Sequence, residues 1–385
     1  MGDETLLDVQ HEAGERPMPM YKFVLTGGPC AGKTTALGRM ATFFREKGFR
    51  VYTVPETATC LFTNGIKLED LDKPSVKFTF QWSILSLQME IEDCFERVAR
   101  ESGEPCILFC DRGLMDGSVY IESKEWDRLV ELKAMNEVSL RDGRYDGIFH
   151  MVTAACGAED HYSLENNEAR SEPTQLAKEV DEKTQTAWLG HPRHLIFDNS
   201  TDLDGKIERM IAATTRLLGS PCRPRRACKF LLERAPPPID EFPVPVMEFE
   251  TEKVFLRRQG RGGAQELPSS ELEGDRSAVA SSESFLLKRG RHELFTYRMT
   301  TVSSREDGTL TEVSRTLGEA GYQAIEADRA DPARPRVRQR HLVFLWERQV
   351  FEIHVDVEPA YGVSVLYRHS EGGEVSLPDF LSVEE

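Results

Sequence analysis

The chain lacks any C-x-x-C pair, any histidine cluster at metal-ligand spacing, any N-K-x-D motif, any internal repeat, and any apolar run near the ~20 residues a membrane-spanning helix needs. The eight cysteines in 385 residues are scattered and read as reduced intracellular thiols, with neither a disulfide framework nor a zinc site. Positive charge is scarce. With 48 Lys and Arg against 65 Asp and Glu, the net charge of −17 excludes a general nucleic-acid binder, whose phosphate partner demands a positive field. Any basic surface must therefore be local. Residues 1–19 carry neither a basic n-region nor a long apolar stretch, so they are expected to be a disordered tail and not a secretory signal. The expectation is a cytoplasmic protein, in contact with intracellular membranes only peripherally.

What is present is an alternation. "KFVLTG", "RVYTVPE", "CILFCDRG", "DGIFHMVTA" and "HLIFDN" are strand-like and are separated by helical stretches, the pattern of a parallel sheet flanked by helices over residues 20–220. The polar segment "CGAEDHYSLENNEARSEPTQLAKEVDEKTQTAWLG" is too long for a simple loop and is expected to be a helical or mobile lid. Pro and Arg concentrate over 221–243, a linker by composition. Beyond it, over 244–385, six segments alternate with period two, as in an antiparallel barrel, with one helix or loop near Arg315 to Gly321. Residues 259–284 have the composition of a disordered insertion. The fold class is thus an α/β P-loop domain followed by a mainly antiparallel β-barrel.

The stretch Gly27-Gly28-Pro29-Cys30-Ala31-Gly32-Lys33-Thr34, followed by Thr35, matches G-x-x-x-x-G-K-[ST] in full, between a strand and a helix. Glycines let backbone N–H groups turn toward phosphate, Lys33 can reach the β and γ oxygens, and the Thr34 hydroxyl can ligate Mg²⁺. Asp111 ends an apolar strand, where a carboxylate would hold the same Mg²⁺. Glu56 ends the second strand; it is either a capping acid or a base for an acceptor hydroxyl.

"VPETAT", "FQW", "CDRGLMDG" and "IFDNSTD", in order behind the P-loop, resemble the P-loop kinases that include thymidylate and deoxynucleoside kinases. They are most like the domain shared by NadR-type nicotinamide-riboside kinases and the TRPL translocation defect protein family. That resemblance implies an acceptor-facing role for Glu56, a phosphate contact for Arg112, and an acceptor pocket lined by Gln81 and Trp82. It implies a base site near Asp198 and Asn199, and a lid clamp at Arg170, which stands nearly alone where kinase lids offer several arginines. The base, in GTP or ATP, is left open.

In the second domain Glu248, Glu250 and Glu252 share one strand face, as do Arg334, Arg336, Arg338 and Arg340. Charge on one face is either solvated or lines a polar lumen. The rows resemble a CYTH, or triphosphate-tunnel, domain with its E-x-E-x-K opening, but Lys253 falls one step out of register, which speaks against triphosphate hydrolysis. An anion-binding barrel with Glu248, Glu250, Lys288, Arg289, Arg298, Arg336, Arg338 and Arg340 as its contacts is the expectation. The domain order resembles the TRPL translocation defect family, which implies GTP and phosphoinositide binding in membrane-protein trafficking. Two other readings stand beside a nucleotide-binding regulator: a kinase for a nucleoside-like acceptor, and a phosphohydrolase.

Overall fold

The apolar runs of the first half pair in parallel as β1 (Met20–Thr26), β2 (Arg50–Val54), β3 (Cys106–Asp111), β4 (Gly147–Met151) and β5 (His194–Phe197), in the order β2-β3-β1-β4-β5. The computed structural model describes residues 19–159, 174–219, 229–257, 279–305, 309–368 and 376–384. Strands buried on both faces need covering layers, and six helices supply them: α1 (Lys33–Glu46), α2 (Thr57–Thr63), α3 (Pro74–Glu101), α4 (Ser123–Leu132), α5 (Thr174–Ala187) and α6 (Leu203–Leu217). On one face Phe23, Phe109 and Phe149 pack with Phe44 of α1 and Met210 of α6; on the other Val24, Cys110 and Ile148 pack with Leu85 of α3 and Trp126 of α4. Each fully buried Phe contributes about 1.5–3 kcal/mol, so the central strands are rigidly held.

Register places the chemistry. β1 pairs with β3 so that Leu25 lies beside Asp111, and with β4 so that Thr26 lies beside His150. The chain crosses from β1 toward β2 on one side while β4 and β5 lie on the other. A crevice at the strands' carboxyl ends, where such crossovers diverge, is the ligand position of open α/β sheets.

The second half forms an eight-stranded antiparallel sheet in the order β10-β9-β8-β7-β11-β12-β13-β6. Its strands are β6 (Lys229–Leu231), β7 (Val246–Phe255), β8 (Val279–Arg291), β9 (Leu294–Arg305), β10 (Leu310–Leu317), β11 (Val337–Trp346), β12 (Gln349–Glu358) and β13 (Ser364–Arg368). Among the described residues no ladder joins β10 to β6. Three features differ from the sequence expectation. The segment read as a linker contributes β6, which pairs with β13, and Phe242, which packs on Phe344. Residues 279–284, read as part of a disordered insertion, open β8. The Arg315 to Gly321 region, read as a helix or loop, holds the start of helix α7 (Glu319–Arg329) as expected, and also the end of β10, a strand not read from the sequence. Short or polar strands such as β6 and β10 carry little apolar periodicity, and long-range pairing is what makes them strands.

Each face of this sheet is covered over part of its area. One carries Leu342, Phe344, Phe351 and Ile353 at one end and Val254 and Leu286 under Tyr322 of α7 at the other. The opposite face packs on the parallel-sheet unit: Phe249, Val343 and Val350 join Val152, Leu189 and Ile196 in one apolar cluster. Among the described residues no helix is long and apolar enough to cross a membrane, and the six cysteines there are free thiols. Arg170 lies outside the described residues.

Candidate nucleotide-binding site

The loop after β1 can exist only with glycine at two points. Gly27 has φ +133° and a Cβ there would sit 2.0 Å from the Met151 carbonyl oxygen; Gly32 has φ +85° and a Cβ would sit 2.7 Å from Leu203 Cδ1. Cys30 also adopts a left-handed φ of 55°. The loop therefore curls tightly into the start of α1, whose first turn and positive end lie at the cradle. Lys33 is buried, and its Nζ donates to the carbonyls of Gly27 (3.2 Å) and Gly28 (2.8 Å). An incoming phosphate would exchange these neutral acceptors for charged ones, which bind an ammonium more strongly.

Two groups of the "CDRG" stretch converge on the same loop. Arg112, at φ 73°, donates from Nη1 to the Gly27 carbonyl (2.7 Å) and from Nε to Glu56 Oε1 (3.3 Å). Burial alone would lower its pKa, but Tyr120, Asp116, Glu56 and Asp111 together raise it, so it stays charged. Glu56 accepts from the Thr59 hydroxyl at 2.6 Å. Burial works to raise its pKa, and Arg112, Thr59 and Lys33 outweigh that, leaving the carboxyl below its ordinary range. It is therefore ionised at neutral pH.

Asp111 is the opposite case. Burial raises its pKa and Glu56 adds to this, against the pull of Lys33. Its Oδ1 is buried with no hydrogen-bond partner among the described residues. An orphaned anionic oxygen beside Lys33, with the exposed Thr34 at the head of α1, is a donor set that suits a hard divalent cation. Mg²⁺ fits these residues.

Other expected site residues are engaged elsewhere. The Asn199 amide donates to the carbonyls of Thr153 (2.8 Å) and Cys156 (2.7 Å), and Asp198 accepts from Arg209 (3.0 Å), so both side chains tie down loops. Lys206, a buried residue absent from the sequence reading, bonds Asn199 Oδ1 and the Val152 carbonyl, and burial draws its pKa down to about 8. Gln81 is buried near Gly117, while Trp82 packs into the core with the Lys133 ammonium 4.5 Å from its ring centre.

The sequence reading also missed three carboxylate and guanidinium contacts that hold the loop. Asp116 accepts from Thr26 Oγ1 (2.6 Å), Trp188 Nε1 (2.8 Å) and the Gly113 N–H (2.9 Å), fixing the turn that carries Arg112. Asp181 of α5 is fully buried, and its Oδ1 accepts the Gly28 N–H at 2.7 Å and the Thr153 N–H at 3.2 Å, with His150 Nε2 also at 3.2 Å. Its Oδ2 faces Arg348 Nη1 at 3.7 Å; Arg348 also pairs with Glu182 at 2.7 Å. Arg348 sits in the two-residue turn between β11 and β12, where Glu347 and Arg348 both have positive φ. A carboxylate of the first unit thus touches the P-loop on one side and the second sheet on the other.

On the second sheet, register divides the expected anion contacts. Glu248, Glu250 and Glu252 face the same way as Arg336, Arg338 and Arg340, and pair with them: Arg340 with Glu248 (2.5 Å), Arg336 with Glu252 (2.9 Å) and Glu326 (2.5 Å), Arg338 with Glu252 (3.5 Å) and Glu358 (3.2 Å). A cavity of about 200 Å³ on this face is lined by three carboxylates, Glu252, Glu319 and Glu326, and three cations, Lys288, Arg336 and Arg338, beside Tyr297 and Tyr322. Arg289 and Arg298 correct the single-site expectation. They point to the opposite face, where Arg289 donates to the Gly190 carbonyl (2.7 Å) and Arg298 to that of Tyr145 (3.5 Å), so they bind the first unit's backbone and cannot share a ligand with Arg336. Lys253 lies on that second face too, its ammonium 3.8 Å from the Phe285 ring centre.

Residues 22–206 match the family described as the AAA domain, and no curated protein matches the chain. With its G-x-x-x-x-G-K-T loop, parallel sheet and strand-end carboxylates, this stretch is a P-loop nucleotide-binding domain of the kinase-like kind.

Proposed function

We propose that the chain is a Mg²⁺-nucleotide-dependent regulatory protein in which the state of the P-loop is passed to the second sheet. The carrying observation is Asp181, bonded to the Gly28 N–H and facing Arg348 across the unit boundary. A nucleotide that shifts the loop alters how Asp181 is satisfied, and so biases the β11–β12 turn. In hydrogen exchange, saturating Mg²⁺-nucleotide is expected to slow exchange in that turn. Arg348→Ala should keep nucleotide binding and lose the response. Unchanged exchange in the turn of the wild-type protein at saturation refutes the coupling.

Phosphoryl transfer is the second reading, favoured by the ionised Glu56 held beside Arg112. Glu56→Gln should then spare binding and cut turnover about 10²–10⁴-fold, the usual contribution of a general base. If no acceptor in a nucleoside and nicotinamide-riboside panel is phosphorylated by the wild type, this reading fails.

We further propose that the acid-and-base face of the second sheet takes up a polyphosphate or phosphoinositide headgroup, at cytoplasmic membrane surfaces. Its lining balances three acids against three bases, so an anion gains little there unless a divalent cation offsets the carboxylates. Vesicles containing phosphoinositide should retain the protein with Mg²⁺ and release it on chelation. Retention unaffected by the Arg336→Glu, Arg338→Glu double substitution would exclude this face. The choice between GTP and ATP is read from thermal shifts with each.

A further inference from the structure

The face of the second sheet turned toward the first unit contains a group that neither the nucleotide site nor the headgroup face uses. His341 of β11 and His354 of β12 are direct cross-strand partners, and Glu352 lies two residues before His354 on the same face. His341 Nδ1 is 2.8 Å from Glu352 Oε1, and His354 Nε2 is 3.5 Å from Glu352 Oε2. One potential ligand atom from each residue lies within 4.8 Å of the other two. Two nitrogens and a carboxylate around a tetrahedral ion, with bonds of about 2.0 Å, would stand about 3.3 Å apart.

The hydrogen bonding around His341 decides which lone pairs are presented. Its Nε2 is 3.2 Å from Gln339 Oε1, and the amide nitrogen of Gln339 donates to Asp356 Oδ1 at 2.8 Å, so Oε1 can only accept. The proton of a neutral imidazole therefore belongs on Nε2, and Nδ1 turns a bare lone pair toward a carboxylate at hydrogen-bond distance. His354 Nε2 is buried and makes no hydrogen bond among the described residues. A bare Nδ1 lone pair of His341 facing a carboxylate oxygen repels it unless a cation lies between them. An outer N–H tied to an amide oxygen is also how metal-bound imidazoles are oriented.

We propose that His341 Nδ1, His354 Nε2 and Glu352 form a binding site for a divalent transition-metal ion of the zinc class, at the seam of β11 and β12. Three protein ligands leave a fourth position for water. The two rings are stacked with centres 3.7 Å apart and planes 10° apart, so His354, the more exposed, has to turn for both lone pairs to meet the ion. Glu352 also faces Arg289 Nη2 at 3.6 Å, and Arg289 bonds the Gly190 carbonyl of the first unit, so occupancy bears on the contact between the two units.

The test is Co²⁺ titration of the full, nucleotide-free chain, followed by visible absorption. The wild type should take up about one equivalent more than His354→Phe, with four-coordinate bands and no thiolate charge transfer for that equivalent. Phenylalanine keeps the ring stack and removes only the lone pair. Gln339→Leu, which releases the outer nitrogen of His341, should weaken uptake about 10–100-fold, and circular dichroism verifies that each variant is folded. Equal uptake and affinity in the wild type and His354→Phe overturns the site. So does unchanged affinity in Gln339→Leu, which is the result expected if Nδ1 carries the proton and Thr251, 3.1 Å from Nε2, donates its hydroxyl there.

Discussion

Asp181→Ala is expected to destabilise the fold by about 3–5 kcal/mol, the cost of removing one partner from a buried charged network. The substitution strips the acceptor from the Gly28 and Thr153 N–H groups and from His150, and leaves Arg348 facing a void. Asp181→Asn keeps the shape and one oxygen, so its penalty should be smaller, about 1–3 kcal/mol. Chemical denaturation with and without nucleotide measures both, and a loss under 1 kcal/mol for the alanine variant contradicts the network. The acid limb of stability should change as well. Burial resists the charge on Asp181, yet His150, the Gly28 N–H and Arg348 outweigh it and hold its pKa below the ordinary value. A carboxyl depressed in the folded state stabilises fully above its unfolded pKa of about 3.9, and that stabilisation is lost as pH falls through the lower folded value. The alanine variant should therefore show a flatter decline at low pH than the wild type.

Lys33→Ala is expected to abolish nucleotide-induced stabilisation. At a nucleotide concentration 100 times Kd, binding to the folded state alone stabilises by about 2.7 kcal/mol, which a thermal shift detects easily. Removing the ammonium withdraws charge-assisted bonds worth about 1.5–3 kcal/mol each, and takes from the Gly28 carbonyl the donor that keeps it from repelling the phosphate. Asp111→Asn separates the ion from the nucleotide: it should leave some binding but remove its dependence on Mg²⁺. A Lys33→Ala protein that still shifts with Mg²⁺-ATP or Mg²⁺-GTP would place the nucleotide elsewhere.

The P-loop and the five parallel strands were legible because each is local: a glycine spacing, an apolar run, a carboxylate at its end. Arg112 was legible by resemblance, but its bond to the Gly27 carbonyl was not, since it depends on the left-handed backbone at Arg112. Asp181 sits among Glu179 and Glu182 on a polar helix, where no pattern separates the buried acid from its exposed neighbours. In the second sheet, period two correctly put Glu248 and Glu250 on one face of their strand and Arg336, Arg338 and Arg340 on one face of theirs, and pairing makes those faces the same. It could not show that Arg289 and Arg298 lie on the other, because strand pairing fixes that, and the partners are distant in sequence. The same limit hid the metal-ligating group. His341 and His354 are thirteen positions apart, outside any ligand spacing read along one segment, and only the β11–β12 ladder brings them together.

The pairing of β6 with β13 also orders events on the ribosome. All five parallel strands have emerged once α6 is made, so the nucleotide domain can begin to fold while the rest is still being translated. The antiparallel sheet is completed later: its first strand to appear, β6 at the sheet edge, waits for β13, its last, a closure among the slowest kinds. Until β7, β11 and β12 have followed, the nascent first half presents Val152, Leu189 and Ile196 uncovered, and that interval is when a chaperone would be needed most.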